Sequence, residues 1–388
     1  MKDKKIESLI KKEEKRQKSV VNLIASENYV SKDVLKALGS VFTNKYAEGY
    51  PSKRYYGGNE VVDELENLCK ERALKLFKLN SKKWGVNVQP LSGSPANFAV
   101  YTALVPAGGK IMGMSLEHGG HLTHGQKVSA TGMFWEQVPY GVDEKTEILD
   151  YEKLLKIAKK EKPALIVAGF TAYPRKINFK KFREIADSVG AILMIDMSHF
   201  AGLVAGGEYP SPFKYADVVT STTHKTLRGP RSGLIFSKKE FAEKINKAIF
   251  PRLQGGPHLN QIAGVAIALK EADTTEFKKY SKQVVLNAKA LAKELKKLGW
   301  RIISGGTDTH LVLIDVWMDG SGLSGKEAES LLEKEGIIVN KNTIPFETRS
   351  PFNPSGIRLG TPAETTRGAK EKDIIKTAHR VDGVLRKG

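Results

Sequence analysis

From about position 110 the chain alternates between two textures. Short unbroken apolar runs at Ala164–Ala168, Ala191–Asp196, Ala216–Thr220 and Gly233–Phe236 predict buried strands. Spaced apolar positions over Asp150–Lys160 and Phe179–Val189 predict amphipathic helices between them. Strands alternating with helices predict an α/β fold with a largely parallel sheet, whose ligands bind beyond the carboxyl ends of the strands. After a long helical stretch, His258–Leu298, the texture changes. Strand-like Arg301–Ser304 and His310–Val316, a Gly/Ser-rich linker, a helix over Lys326–Glu335, two more strand-like pieces and a terminal helix over Glu371–Leu385 predict a smaller α+β unit.

Length supports the division, since 388 residues exceed what one hydrophobic core holds. The expected parts are an N-terminal arm over 1–50, a large domain over 51–275 and a small C-terminal domain over 276–388, with the boundary in the long helical stretch. No internal repeat points to a solenoid. A hydrophobic fraction of 40% with 27% charged residues excludes a disordered or fibrous chain. The longest apolar runs are strand-sized, so no membrane span is expected, and the first twenty residues lack the apolar stretch of a secretory signal. A single cysteine, Cys69, excludes an internal disulfide framework and a cysteine-rich metal site, which makes the cytoplasm the expected compartment.

The balance of 62 basic against 43 acidic residues leaves a net charge of +19. The lysines are dispersed, in pairs such as Lys159-Lys160, Lys180-Lys181 and Lys296-Lys297 on polar faces of predicted helices. No segment interleaves aromatics with arginines as a nucleic-acid module does. The charge reads as a solvated basic surface, with attraction for a polyanion as the alternative.

Two strand ends carry the first chemistry. The run AILMID ends on Asp196, and the next strand runs into STTHK, placing Lys225 at the same sheet edge. A lysine for a Schiff base and a carboxylate to keep a pyridine nitrogen protonated are what pyridoxal phosphate requires, although such a pair also occurs in α/β proteins without it. Hydroxyls at Ser221, Thr222 and Thr223 and the ring of His224 suit a phosphate. Ser92-Gly93-Ser94-Pro95 opens a predicted helix with Ser94 as N-cap and Pro95 as its first residue, a ready anion site or simply a good helix start.

HGGHLTHG holds His118, His121 and His124, and three readings stand: a metal site, one imidazole stacked on an aromatic cofactor, and structural hydrogen bonding. Glu117 is the single acid nearby, and no metal is expected. Arg358, between glycines on a strand-like segment, suits a bidentate carboxylate clamp or a plain surface role. YAEGYPSKRYYGG gathers Tyr46, Glu48, Tyr50, Tyr55 and Tyr56, which suits either a flat ligand with a proton transfer or an aromatic subunit interface.

Together these segments resemble serine hydroxymethyltransferase. The resemblance runs from about residue 21 to residue 368 through NLIASENYVS, NKYAEGYPSKRYYGG, NVQPLSGSPANFAVYTALV, HGGHLTHGQKVS, DMSHFAGLVAGG, STTHKTLRGPRSGLIF, FPRLQGGPH, VNKNTIPFE and SPFNPSGIRLGTPAETTRG, of which STTHKTLRGPR is highly specific. It implies the aminotransferase-like fold type I of pyridoxal enzymes, at least a homodimer, and active sites shared between subunits. It implies that Lys225 forms the Schiff base, Asp196 partners the pyridinium, His121 stacks on the ring, and Thr171 and His199 lie near the cofactor hydroxyl. Ser92, Gly93, Ser94 and His224 then resemble phosphate ligands, joined by Tyr46 and Gly256 from the neighbouring subunit. Arg358, Ser26 and Tyr56 resemble the substrate-carboxylate site, and Glu48 the acid that handles the substrate hydroxyl proton. Tyr55, Leu116, Gly120, Leu122, Asn342 and Ser350, Pro351, Phe352 would lie along the folate.

The implied reaction moves the hydroxymethyl group of serine to tetrahydrofolate and leaves glycine, a step of one-carbon metabolism and amino-acid biosynthesis. Burial against tyrosines and a bound cofactor is expected to raise the Glu48 pKa. The basic surface then has a use in attracting a polyglutamylated folate tail. Arg252 departs from a common glycine, PLSGSP departs from the bacterial HSGSQ-type pattern, and the C-terminal segment is short. Competing readings are a folate-independent aldolase for threonine-like β-hydroxy amino acids, the same transfer with a modified pterin, and an RNA-binding protein whose catalysis is secondary.

Overall fold

The computed structural model describes residues 1–387. At its centre lies a seven-stranded sheet in the order Trp84–Asn87, Gly233–Lys238, Val218–Thr222, Ile192–Asp196, Leu165–Gly169, Lys110–Met114, Glu136–Tyr140. The last five strands pair in parallel, while Gly233–Lys238 runs antiparallel to both its neighbours. Strands in such a sheet are apolar on both faces because helices cover both. In Ile192–Asp196, Leu193 and Ile195 enter one core with Phe182, Phe200 and Phe236, and Met194 enters the other with Tyr101 and Trp135. The fold is α/β of the expected kind.

The helices between the strands start and stop on local signals. Asp150 caps Tyr151–Glu161 by accepting from the amides of Glu152 and Lys153. Asn178 caps Phe179–Val189, which ends on Gly190 in the left-handed conformation that glycine tolerates.

A second sheet, all antiparallel, has the order Arg301–Ile302, Leu311–Asp315, Gly356–Gly360, Asn340–Asn342. Its core, with Val312, Ile314, Ile357 and Leu359, is sealed by the helices Gly325–Lys334 and Glu371–Leu385. The N-terminal segment is woven into this unit: Val21–Asn22 pairs in parallel with Ile337–Ile338, and Leu23 is fully buried in the same core.

Two expectations need correction. The stretch His258–Leu298 is two helices, Leu259–Ala272 and Thr275–Lys297, because Thr274 leaves helical geometry and caps the second on the amide of Phe277 at 3.2 Å. The strand expected over Arg301–Ser304 stops at Ile302, since Ser304 takes a left-handed conformation (φ 56°). Among the described residues no helix is long and apolar enough to cross a membrane.

Candidate active site

A cavity of about 300 Å³ opens beyond the carboxyl ends of the large sheet. Asp196 ends one strand beside Thr220 of the next, and the chain then turns through Thr223 and His224 to Lys225. Lys225, Asp196, His121, Ser92, Gly93, Ser94, Thr171, His199, His224, Ser26 and Arg358 all line this one space. Residues scattered over more than three hundred positions meet there because the strand ends and the second sheet face each other.

Asp196 is held from three sides. Its carboxylate accepts from Asn97 Nδ2 at 2.8 Å and the Ser198 amide at 3.0 Å, and His124 Nε2 lies 3.2 Å away. Burial disfavours its charge, but the His124 contact and the other donors outweigh that, so the carboxyl stays ionised below the usual range. The amide of Asn97 is oriented in turn by the Thr220 hydroxyl, which donates to its oxygen at 2.7 Å.

The three histidines divide their work. His121 lines the cavity, and its Nδ1 accepts from the Thr123 amide at 3.1 Å, which leaves its proton on Nε2. Burial, with the nearby positive groups, pushes it down to about 4, so it is neutral. His124 supports Asp196. His118 points elsewhere, accepting from the Val142 amide at 3.0 Å and packing edge-on against Phe346.

At the other end of the cavity the helix Gly93–Leu104 aims its N-terminus inward. It opens at Gly93 with Ser92 as N-cap, two residues before the expected start at Pro95. A Cβ on Gly93 would lie 2.5 Å from the Thr222 methyl, so only glycine lets the helix end approach the strand end this closely. The free amides of Gly93 and Ser94 give the positive end of the helix dipole an anion to seek. His224 adds to it. Its Nε2 faces Arg231 Nη1 at 3.4 Å and so carries no proton, while its buried Nδ1 has no partner. Burial, together with the charges of Lys225 and Arg231, pulls this ring down to about 3. An orphaned ring N–H beside a helix N-terminus, two serines and an arginine fits a phosphate. The expected hydroxyls of Ser221 and Thr223 do not contribute: they are spent on the backbone carbonyls of Thr222 and Pro230.

Lys225 is buried, and burial lowers its amine to about 8 despite the attraction of Asp196. Arg358 is buried as well, which pulls it down to about 10 and leaves it charged at neutral pH. It donates from Nη1 to the Thr171 carbonyl at 2.7 Å and from Nε to Asn340 Oδ1 at 3.1 Å. Its remaining N–H groups stay available for a carboxylate. The Thr171 hydroxyl is committed to the Gly120 carbonyl at 2.8 Å. His199 pairs through Nδ1 with His310 Nε2 at 3.1 Å, and burial keeps it neutral.

A second group assembles apart from this cavity. Tyr46 donates to Glu48 Oε1 at 3.1 Å, Tyr56 packs edge-on against Tyr46, and Gly256 lies against the Tyr46 ring. Tyr46, Glu48, Tyr55, Tyr56 and Gly256 do not line the cavity of their own chain. The tyrosines are half exposed or more, and Glu48 is half-buried, so within the chain the tyrosines cover Glu48 only in part. Of the remaining expected positions, Leu122 borders a neighbouring cavity of about 470 Å³ that shares Ser94 and His121 with the first. Gly120 is packed so closely that a Cβ would lie 2.0 Å from the Met114 carbonyl oxygen. Leu116 is half-buried, Asn342 donates to the Thr343 carbonyl, and Ser350, Pro351 and Phe352 form an exposed turn.

Asn97, Ser198, Arg231 and Asn340 belong to the site and were not singled out in the sequence, and His124 was singled out without its pairing to Asp196. Arg231 stood six residues after Lys225 in STTHKTLRGPR, where a second basic group beside a phosphate was a readable signal. The family model described as Serine hydroxymethyltransferase matches residues 1–381 of the chain.

Proposed function

The chain belongs to the serine hydroxymethyltransferase family, whose members are pyridoxal-phosphate-dependent transferases acting on serine and glycine, and from that premise we propose that its one-carbon acceptor is tetrahydrofolate. The observation that carries the pyridoxal and amino-acid part of the reading is the meeting of Lys225, Asp196 and Arg358 in one cavity, and the aromatic loop from Tyr46 to Tyr56 around Glu48 supports a pterin as the acceptor. Pyridoxal phosphate, when bound, supplies an electron sink for the bonds of the substrate α-carbon.

In this reading, Lys225 would hold the cofactor covalently and give it up to serine, and burial, by lowering its amine to about 8, leaves roughly a tenth of the free amine neutral at pH 7. Asp196, kept ionised by Asn97, Ser198 and His124, holds a proton on the pyridine nitrogen. Ser92, Gly93, Ser94 and His224 take the phosphate, with Arg231 beside them. His121 would stack on the ring, with Thr171 and His199 near the cofactor hydroxyl. Arg358 grips the substrate carboxylate bidentately, with Ser26 next to it. Glu48 moves the proton of the substrate hydroxyl, and with Tyr46, Tyr55, Tyr56 and Gly256 it acts on the cavity of a second subunit, so the functional unit is at least a homodimer. Tyr55, Leu116, Gly120, Leu122, Asn342 and Ser350–Phe352 line the path of the folate. The reading places the enzyme in the cytoplasm and divides it into an arm over 1–50, a large domain over 51–275 and a small domain over 276–388, with Val21–Leu23 joining the last.

The test is a visible absorption spectrum of the protein with pyridoxal phosphate, then glycine, then glycine with tetrahydrofolate. A band that moves strongly to the red only with both ligands supports the reading. A band indifferent to folate favours an aldolase or a modified pterin, and no band at all removes Lys225 from the chemistry.

A further inference from the structure

Glu48 stands at the start of a small hairpin, Gly49–Tyr50 with Lys53–Arg54. Two-residue strands hold nothing by themselves. One guanidinium does the holding. Arg54, with its side chain 4% exposed, donates from Nη1 to the carbonyls of Ala47 at 3.0 Å and Gly49 at 2.8 Å, the residues on either side of Glu48. Its Nε donates to Asp63 at 2.9 Å and its Nη2 to Glu66 at 2.7 Å, both on the helix Glu60–Leu76. Gln89 closes the ring by donating to the Gly49 carbonyl and to Glu66, each at 3.0 Å. Asp63 also accepts from the Ser52 amide at the hairpin tip at 2.7 Å.

Stability is a poor explanation for this arrangement. Glu66 is fully buried, and a buried ion pair often stabilises no more than an apolar pair of the same volume. What the network does supply is a single path for the backbone. Gly49 has φ 94°, and a Cβ there would lie 2.3 Å from the Lys53 carbonyl oxygen. Arg54 grips the peptide before Glu48 and the one after Gly49, and the Glu48 carbonyl between them accepts from the Tyr55 amide at 3.1 Å. The direction in which Glu48 leaves the chain is thereby set, and among the described residues its carboxylate has only the Tyr46 hydroxyl as a partner, at 3.1 Å.

We propose that Arg54 is a positioning residue for Glu48: it grips the carbonyls of the two residues on either side, Ala47 and Gly49, and thereby sets the reach of that carboxylate. The proposal rests on the reading of Glu48 as the group that moves the substrate hydroxyl proton, and adds what holds it in place. Lysine cannot substitute, because a single ammonium does not span two carbonyls and two carboxylates as the planar fork does.

The experiment is a double-mutant cycle on pyridoxal-loaded enzyme, reading serine cleavage with tetrahydrofolate, cofactor absorbance per subunit and melting temperature. Arg54→Lys should lower kcat by ~30–100-fold, the scale of a misplaced catalytic group, with KM for serine and cofactor content little changed. Gln89→Leu should give a smaller loss in the same direction, and carries the same cycle should Arg54→Lys fail to fold. In a Glu48→Gln background either substitution should add less than ~2-fold, because a residue acting only through Glu48 has nothing left to act on. Full turnover by Arg54→Lys, or an equal loss in the Glu48→Gln background, overturns the proposal while leaving the role of Glu48 intact. If Glu48→Gln itself keeps full folate-dependent turnover, the reading of Glu48 fails and the Arg54 proposal with it.

Discussion

Asn97 donates to Asp196 at 2.8 Å and, from the same nitrogen, to the Thr123 hydroxyl at 2.9 Å, which lies 2.7 Å from Nδ1 of His121. One amide therefore ties the carboxylate at the strand end to the imidazole on the cavity wall. The group that would address the nitrogen of a pyridine ring and the one that would stack on its face are thus registered to a single helix residue. Asn97, Thr123 and Asp196 are buried, which makes the bonds between them costly to lose.

Asn97→Leu should accordingly affect the chemistry more than binding. Asp196 keeps the Ser198 amide and His124 but loses one donor, and its pKa rises. A hydrogen bond to a charged group contributes about 1.5–3 kcal/mol, so kcat should fall by ~10–100-fold with KM for serine little changed. Steady-state kinetics with the visible spectrum of the loaded enzyme checks this, and an unchanged kcat would separate Asn97 from the ring nitrogen.

Lys225 gives a pH dependence. Its amine titrates near 8 in the cofactor-free protein because burial disfavours the charge. Only the neutral amine attacks a carbonyl, so capture of pyridoxal phosphate should quicken about tenfold per pH unit below 8 and level off above it. An unfolded lysine titrates near ~10.4, so between pH 8 and that value the unfolded chain holds more protons and stability rises with pH. Lys225→Met should therefore raise the melting temperature of the cofactor-free protein at pH 7, with the gain fading above pH ~10. Rates of band formation and melting curves across pH test the two halves separately.

The strands were legible because apolar runs are one-dimensional signals. AILMID ends on Asp196 as its strand does, whereas ALIVA and ADVVT stop one and two residues short of the strands Leu165–Gly169 and Val218–Thr222, whose last residues are Gly169 and the polar Ser221 and Thr222. Helix starts were less so. Ser94-Pro95 has the residues of an N-terminus, but the helix starts two residues earlier at Gly93, where the absence of a Cβ lets its end pack against Thr222. The groups that tune the site were hidden for a different reason. His124 and Asn97 meet Asp196 across 72 and 99 residues of sequence, and no local pattern encodes such pairings. Val21–Asn22 is likewise too short to show a period, and its place beside Ile337–Ile338 is a tertiary fact.

Arg358 should tolerate no replacement. Its Nε and one Nη1 proton are spent on Asn340 and Thr171, which aims the rest of the fork into the cavity. Arg358→Lys leaves a charge without the bidentate geometry, and kcat/KM for serine should fall by ~10²–10³ while cofactor binding survives. Asn340→Ala should give a milder loss, seen mainly in KM. Equal losses in cofactor content would instead mean that Arg358 holds the fold.

The separation of Glu48 from the cavity of its own chain makes subunit sharing testable by mixing. Glu48→Gln and Lys225→Met are each expected to be nearly inactive as homodimers. A hybrid dimer places the intact Lys225 of one chain opposite the intact Glu48 of the other, which restores one site, while the second site carries both lesions. Random reassortment at equal amounts makes half of the dimers hybrids with one working site each, so activity should return to ~25% of wild type. Recovery must follow subunit exchange in time and disappear when the chains are cross-linked before mixing. No recovery would place Glu48 at the cavity of its own chain, through a movement of the hairpin that Arg54 now holds.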